Sequence, residues 1–80
     1  MWDLFIKQNR KCALSGLDIR FPHSRIDYEA TASLDRINSK IGYNKDNIQW
    51  VHKDVNYAKQ SMNNFEFLDL VKKIYHFNYE

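Results

Sequence analysis

The segment 33–59 constrains the fold more than any other part of this chain of 80 residues. Residues 33–37 have a pattern that suits a half-buried strand, with Leu34 and Arg36 on the opposite face from their neighbours. A loop rich in Asn, Lys, Asp and Gly follows at 38–46. Residues 48–51 form a second β-prone run, and from about His52 the apolar spacing becomes that of a helix. The sequence therefore predicts a strand, a loop, a strand and a helix in that order.

Polar side chains lie at both ends of this pattern. Asp35 is near the end of the first predicted strand, and Asn56 and Lys59 share the polar face of the predicted helix. The adjacent apolar stripe of that helix is predicted to comprise Val55, Ala58 and Met62. Such an arrangement can bring a carboxylate and an amide oxygen to one point. Hard divalent cations favour these oxygen donors, with water and phosphate completing the shell.

The same residues resemble the ββα-metal core of the HNH nucleases, especially the phage and homing-type members. The resemblance is carried by Ser-Leu-Asp-Arg-Ile at 33–37, Gly-Tyr at 42–43, Asn-Ile-Gln-Trp-Val at 47–51 and Asn-Tyr-Ala-Lys at 56–59. Cys-Ala-Leu-Ser-Gly at 12–16 and an amphipathic final helix also resemble this subgroup. The resemblance implies one α+β domain over 1–80, of the treble-clef-like ββα-metal type, with flanking N- and C-terminal helices.

The resemblance also implies roles for individual residues. Asp35 and Asn56 would hold a single Mg²⁺ or Mn²⁺, and Asn47 would hold the loop between the strands. The DNA backbone would be contacted by Arg36, Lys40 and Lys59. The implied activity is an endonuclease or nickase that hydrolyses DNA phosphodiester bonds with one divalent ion.

Arg36 departs from the family pattern, because the family usually has a histidine as general base directly after the metal-binding residue. An arginine stays protonated and cannot activate water as imidazole does. It can still clamp a phosphate through its planar fork of donors. Three readings remain open: the base comes from elsewhere, metal-bound water ionises with little help, or the site binds DNA without cutting it. The alternative to a nuclease is a catalytically degenerate module of this fold that binds DNA or a protein.

The histidines are the candidates for a replacement base. His52 precedes Asn56 by one helical turn, so the two share a face if the helix already includes His52. His52 also corresponds to a zinc-knuckle position of other family members, which would point it away from the metal. His23 and His76 are expected to be surface or capping residues.

A structural zinc ion is not expected. The knuckle positions of zinc-binding relatives correspond here to Cys12, Ser15, His52 and Val55. Serine and valine are not zinc ligands, so a closed four-ligand site cannot form. Cys12 is instead predicted to be a small buried residue.

Composition sets looser bounds. The net charge of +2 is a weak nucleic-acid signal, because the clustering of cations matters more than their total. A single cysteine excludes an internal disulfide and suits a reducing compartment. No apolar run is long enough to span a membrane and no signal peptide is visible, so a cytoplasmic location without a membrane partner is expected. A separate DNA-recognition domain or a protein partner is expected to supply target specificity.

The outer segments are predicted to be scaffold. Residues 2–7 form a helical candidate, 11–21 a hairpin that turns at Ser15-Gly16, and 22–29 a loop. Asn63 and Glu66 have the spacing of a capping box at the start of a last helix. The buried face of that helix is predicted to comprise Phe67, Leu70, Val71 and Ile74.

Overall fold

The computed structural model describes residues 2–22 and 29–79 and has a mixed α+β architecture. The helices and strands follow the chain as α1 (Trp2–Lys7), β1 (Ala32–Arg36), β2 (Ile48–His52), α2 (Lys53–Lys59) and α3 (Asn64–Tyr79). The α+β class and the order of strand, loop, strand and helix predicted for 33–59 are confirmed. Residues 23–28 of the predicted loop, with His23, lie outside the described residues.

The two strands form an antiparallel sheet in which Asp35 is opposite Gln49 and Leu34 is opposite Trp50. Because side chains alternate along a strand, the sheet has two chemically different faces. One, here called the polar face, carries Ser33, Asp35, Gln49 and Val51. The other, here called the aromatic face, carries Leu34, Arg36, Trp50 and His52.

The aromatic face packs on the N-terminal segment. Phe5 of α1, Phe21 and Trp50 form a cluster with ring centroids 5.1 to 6.3 Å apart. Just after α1, Gln8 donates its side-chain amide to the carbonyl of Trp50 and accepts from the Trp50 amide, both at 2.9 Å. This pair of bonds fixes α1 against β2. The buried core comprises Phe5, Cys12, Ile19, Trp50 and Val51.

The hairpin predicted for 11–21 is present as a tight turn with one isolated bridge, between Lys11 and Asp18. Gly16 has φ of 75°, a conformation that glycine adopts without steric cost. The Cys12 amide donates to the Leu17 carbonyl at 2.7 Å and closes the turn. Cys12 is buried, as predicted.

Helix α2 is shorter than predicted and ends at Lys59. Gln60 takes a left-handed conformation with φ of 51°, and its amide donates to the Asn56 carbonyl. Met62 therefore lies beyond the helix, and Ala58 is exposed rather than buried. The predicted capping box is confirmed, because the Glu66 amide donates to Asn63 Oδ1 at 2.9 Å and Glu66 Oε1 accepts from the Asn63 amide at 3.2 Å.

The predicted buried face of α3 is wrong beyond Phe67 in its first turn. Phe67 is buried, but Leu70, Val71 and Ile74 are about half exposed. Length explains this: at 1.5 Å per residue a helix of 16 residues is about 24 Å long, whereas α2 with 7 residues is about 10 Å. The short ββα unit covers only the start of α3, where Phe67, Leu68 and Val71 line a small cavity with Leu14 and Val55.

Candidate functional site

Asp35 is the centre of a buried polar cluster on the polar face of the sheet. Its Oδ2 accepts a hydrogen bond from Lys59 Nζ at 2.7 Å and one from Gln49 Nε2 at 2.9 Å. The Asp35 side chain is 7% exposed and the Lys59 side chain is fully buried. The contact is therefore a buried ion pair with additional hydrogen bonding, the form in which a buried charge is tolerated.

Lys59 reaches this cluster from the last residue of α2. Its ammonium also donates to the backbone carbonyl of Arg36 at 2.6 Å, so it joins the helix to the end of β1. A cation near the C-terminus of a helix is also favoured by the helix dipole. The predicted phosphate contact by Lys59 does not match this burial, because the ammonium is held by oxygens of the protein and has no access to solvent.

Gln49 and Asn64 complete the cluster, and sequence reasoning missed both. Gln49 donates to Asn64 Oδ1 at 2.8 Å, and Asn64 donates to Gln49 Oε1 at 3.1 Å. The pair ties the first residue of α3 to β2. The available signal was the alternation of β2, which places Gln49 on the same face as Val51 and, in the paired register, next to Asp35.

Asn56 lies on the same side of the sheet but has a different partner. Its Nδ2 donates to Ser33 Oγ at 2.6 Å. Ser33 and Asp35 are two residues apart on β1, which corresponds to about 7 Å along the strand. The structure thus has Asp35 and Asn56 on the same side of the sheet and attaches each to a separate group, whereas the sequence analysis expected both at one point.

The predicted divalent cation can be tested against these donors. Mg²⁺ and Mn²⁺ bind best where oxygens bring uncompensated negative charge. The charge of Asp35 is compensated by Lys59 at 2.7 Å, and Asn56 supplies only a neutral amide. Within residues 2–22 and 29–79, no three His, Cys, Asp or Glu side chains come together as a metal-ligating group. In this arrangement the residues do not fit a resident divalent cation.

Arg36 lies on the aromatic face, opposite to Asp35. Its guanidinium carbon is 5.2 Å from the ring centroid of Tyr43, a cation–π distance. Tyr43 is 65% exposed and lies in the loop between the strands. Lys40 and Lys45 are exposed in the same loop. Arg36 is thus directed at the loop surface and away from the Asp35 carboxylate.

Asn47 is buried at the base of this loop. Its Nδ2 lies 3.0 to 3.1 Å from the carbonyl oxygens of Asn38, Ile41 and Gly42, and its Oδ1 accepts from the Asn38 amide at 2.9 Å. Its backbone pairs with Ile37 and Asn44. These are the contacts that a loop-holding residue makes. In a tighter hairpin, hydrogen bonds between the two backbone strands would continue up to the turn. In this loop the Asn47 side chain makes the hydrogen bonds to the backbone instead.

His52 lies at the far end of the sheet from Asp35. It pairs with Ala32, belongs to the aromatic face, and caps α2 by accepting the Asp54 amide on Nδ1 at 3.1 Å. The helix does not include His52, so the predicted shared face with Asn56 is absent. His52 is therefore not brought to Asp35 as a general base. His76 lies in the last turn of α3, the part of that helix that extends past the sheet.

Cys12 lies beside the His52 end of the sheet. Burial raises the pKa of its thiol, but hydrogen bonds from the Ser15 side chain and from backbone groups of His52, Ser15 and Leu14 lower it, and the net pKa is below the ordinary value. The thiol accepts the Ser15 amide at 3.3 Å. Cys12 thus orders the turn through hydrogen bonds, without the four ligands that a zinc knuckle needs.

Comparisons with protein-family models, curated proteins and solved structures gave no match to this chain. Among the helices of the described residues, none has the length and apolar character needed to cross a bilayer.

Proposed function

We propose that this chain is an HNH-like ββα domain that binds the phosphate backbone of DNA through the loop at 37–47 and the end of β1. The observation that carries the proposal is the set of cations at this loop. Arg36, Lys40 and Lys45 form no salt bridge with any carboxylate in the described part of the chain. Elsewhere in the described residues, Lys11, Arg20 and Lys73 are each paired with a carboxylate at 2.7 to 3.0 Å. Lys7, Arg10, Lys53 and Lys72 also have no such pair within that part of the chain, but they are spread over three helices and the turn after α1, whereas the three loop cations belong to one connection between the strands.

Unpaired cations bind DNA by displacing condensed counterions from phosphates. Arg36 is suited to this role because its guanidinium can donate two parallel bonds to a phosphate while its plane rests on Tyr43. Tyr43 adds an exposed ring on which an unpaired base can stack. The loop therefore combines phosphate contacts with a stacking surface.

The loop is also rigid enough to present these groups in fixed positions. Asn47 holds three of its carbonyls, and Lys40 follows a local turn in which its amide donates to Asn38 Oδ1 at 3.0 Å. A held loop loses less conformational freedom on binding than a free one. The buried cluster around Asp35 then serves as the scaffold that fixes α2 and α3 to the sheet.

Hydrolysis of the bound phosphodiester, with Mg²⁺ or Mn²⁺, is the second candidate function. One observation favours it: Asp35 Oδ1 accepts no hydrogen bond, and since every buried side-chain polar atom of the described residues has a partner, this oxygen reaches the surface. Because Lys59 already compensates the Asp35 charge, this candidate needs a metal ion that arrives with the phosphate of the substrate and is not resident in the protein. Arg36 cannot serve as the base, and its side chain is directed at Tyr43 and away from Asp35, so under this candidate the base would come from another group.

A cytoplasmic setting fits both candidates, because a free buried thiol such as Cys12 suits a reducing compartment. Few cations contribute to the loop, so target specificity would come from a further domain or protein partner.

Fluorescence anisotropy with labelled duplex and single-stranded DNA, over a salt series, tests binding. Arg36→Ala and Lys40→Ala should each weaken binding and reduce the slope of log K against log salt by about 1. Tyr43→Ala should weaken binding to single-stranded DNA more than to duplex DNA. Lys73→Ala is the matched control, because Lys73 lies on α3 and is paired with Asp69. Loop variants that bind as the unmodified protein does would contradict the proposal.

A nicking assay on supercoiled plasmid with Mg²⁺, Mn²⁺ or EDTA separates the two candidates. Binding without nicking supports the first. Nicking that requires the metal and is lost in an Asp35→Asn variant shown by circular dichroism to be folded establishes the second in its place.

A further inference from the structure

We propose that the Lys59 ammonium is the permanent cation of the buried polar cluster, and that it takes the position a small metal ion would otherwise occupy between the Asp35 carboxylate and the Arg36 carbonyl. This inference does not depend on nucleic-acid binding by the loop. It concerns the side chains of Asp35 and Lys59 and the backbone carbonyl of Arg36. The proposed binding surface is formed by the side chains of Arg36 and of the loop.

The geometry is that of a cation site lined by oxygen. Lys59 Nζ has two oxygen acceptors within 2.7 Å. One is the charged carboxylate oxygen Oδ2 of Asp35, and the other is the neutral backbone carbonyl oxygen of Arg36. Carboxylate and carbonyl oxygens are also what hard metal ions bind. Here the positive charge belongs to the side chain of Lys59, the last residue of α2.

The burial of Lys59 gives the inference its weight. A lysine is almost never fully buried unless it is paired, and Lys59 is 0% exposed. Its attachment to α2 makes the cation independent of metal concentration, because binding is intramolecular. The ion pair is neutral as a whole, so it has little remaining attraction for a second cation.

The same geometry predicts a latent metal site. Replacing Lys59 with a neutral residue leaves the Asp35 charge and the Arg36 carbonyl without a cation. Lys59→Gln keeps a hydrogen-bond donor for Asp35 while removing the charge. It should therefore bind Mn²⁺ more tightly than the unmodified protein does, on the order of a hundredfold.

Isothermal titration with MnCl₂ and paramagnetic broadening of backbone amide NMR signals measure this directly. The unmodified protein should show no selective broadening at Asp35, Arg36 or Asn56, and Lys59→Gln should show it at all three. The double variant Asp35→Asn/Lys59→Gln is the control, because it removes both charges and should lose the site again.

Selective broadening at Asp35 and Asn56 in the unmodified protein would overturn the inference. So would a folded Lys59→Gln variant that binds no more Mn²⁺ than the double variant. If Lys59→Gln is unfolded without metal, recovery of its amide spectrum on adding Mn²⁺ supports the inference, and failure to recover contradicts it. None of these outcomes depends on DNA affinity, so the loop proposal stands or falls separately.

Discussion

The polar cluster and helix α3 show opposite relations between side-chain chemistry and burial. Lys59, a charged residue, is completely buried in the cluster, whereas Phe77 of α3 is 89% exposed. Lys59 lies on α2, which follows β2 directly, and Phe77 lies on α3, the next helix in the chain. Hydrophobicity alone would have placed them the other way round.

The difference shows that, in a domain of this size, a side chain is buried when its part of the helix lies over the sheet, whatever its polarity. Helix α2 lies across the polar face, so any side chain that it directs at the sheet is covered, and a charged one must find a partner there. Helix α3 extends past the two short strands, and most of its length has no element of the described residues packed along it. An 80-residue chain with a two-stranded sheet has too little surface to cover both helices.

The largest expected effect comes from breaking the buried ion pair. Asp35→Ala and Lys59→Ala should each lower the free energy of unfolding by about 3–5 kcal/mol, since each leaves one charge buried without its partner. Urea denaturation followed by circular dichroism measures this. Small domains have total stabilities of about 5 kcal/mol, so either variant should be close to unfolded.

The double variant Asp35→Leu/Lys59→Met sharpens the comparison. It replaces the pair by apolar residues and should recover most of the loss of the single variants. If instead the three variants are equally unstable, the cluster is held by something other than charge pairing.

The second prediction makes the same chemical change in both regions. Val51→Ala, in the core, should cost about 2 kcal/mol, because the deleted methyl groups leave a cavity. Val71→Ala, on α3, should change stability by less than about 0.5 kcal/mol, because Val71 is only partly covered. Thermal or urea unfolding compares the two. Equal losses would mean that α3 is buried in solution by a surface that the chain itself does not supply.

The third prediction concerns the loop. Asn47→Ala should lower stability by about 1–2 kcal/mol, because loop carbonyls lose a buried donor and must turn to water. It should also weaken DNA binding, although Asn47 is buried and touches no ligand. Asn78→Ala is the matched control on α3, where the amide donates only to the Ile74 carbonyl. An Asn47→Ala variant with unchanged melting and unchanged binding would show that the loop keeps its shape without this side chain.

The last prediction concerns a small effect at the start of α3. Asn63→Ala removes one half of the capping box and should cost about 1 kcal/mol or less. The loss should be local, since the far half of α3 makes few tertiary contacts that depend on the first turn. Hydrogen exchange of the α3 amides should therefore increase more than that of β1 and β2. A uniform increase over the whole domain would show that α3 and the sheet unfold together.

The sequence predicted the elements well because their signals are local. Alternating faces located β1 and a β-prone run located β2, and Asn63 and Glu66 marked the start of α3 with bonds that the structure contains. Gly16 marked the turn for the same reason. Each of these signals depends on residues a few positions apart, and tertiary packing does not override them.

The polar cluster was only partly predictable because its partners are distant in sequence. Asp35 and Asn56 were recognised, but the bond from Lys59 spans 24 residues and the Gln49 and Asn64 pair joins a strand to a helix. A lysine three residues after Asn56 looks like a surface cation in the sequence. Its burial depends on how α2 crosses the sheet and on the end of the helix at Gln60, which the apolar spacing did not reveal.

Asn47 holds its loop through backbone atoms, and this affects which substitutions the loop can accept during evolution. Its amide binds main-chain oxygens, and every residue type carries these, so substitutions at 39–45 leave the clamp intact as long as the backbone can follow the same path. Side chains such as Lys40 and Tyr43 can then be exchanged one at a time without a penalty to folding. If the loop binds DNA as proposed, its side chains can change between related proteins while the fold of the domain stays the same.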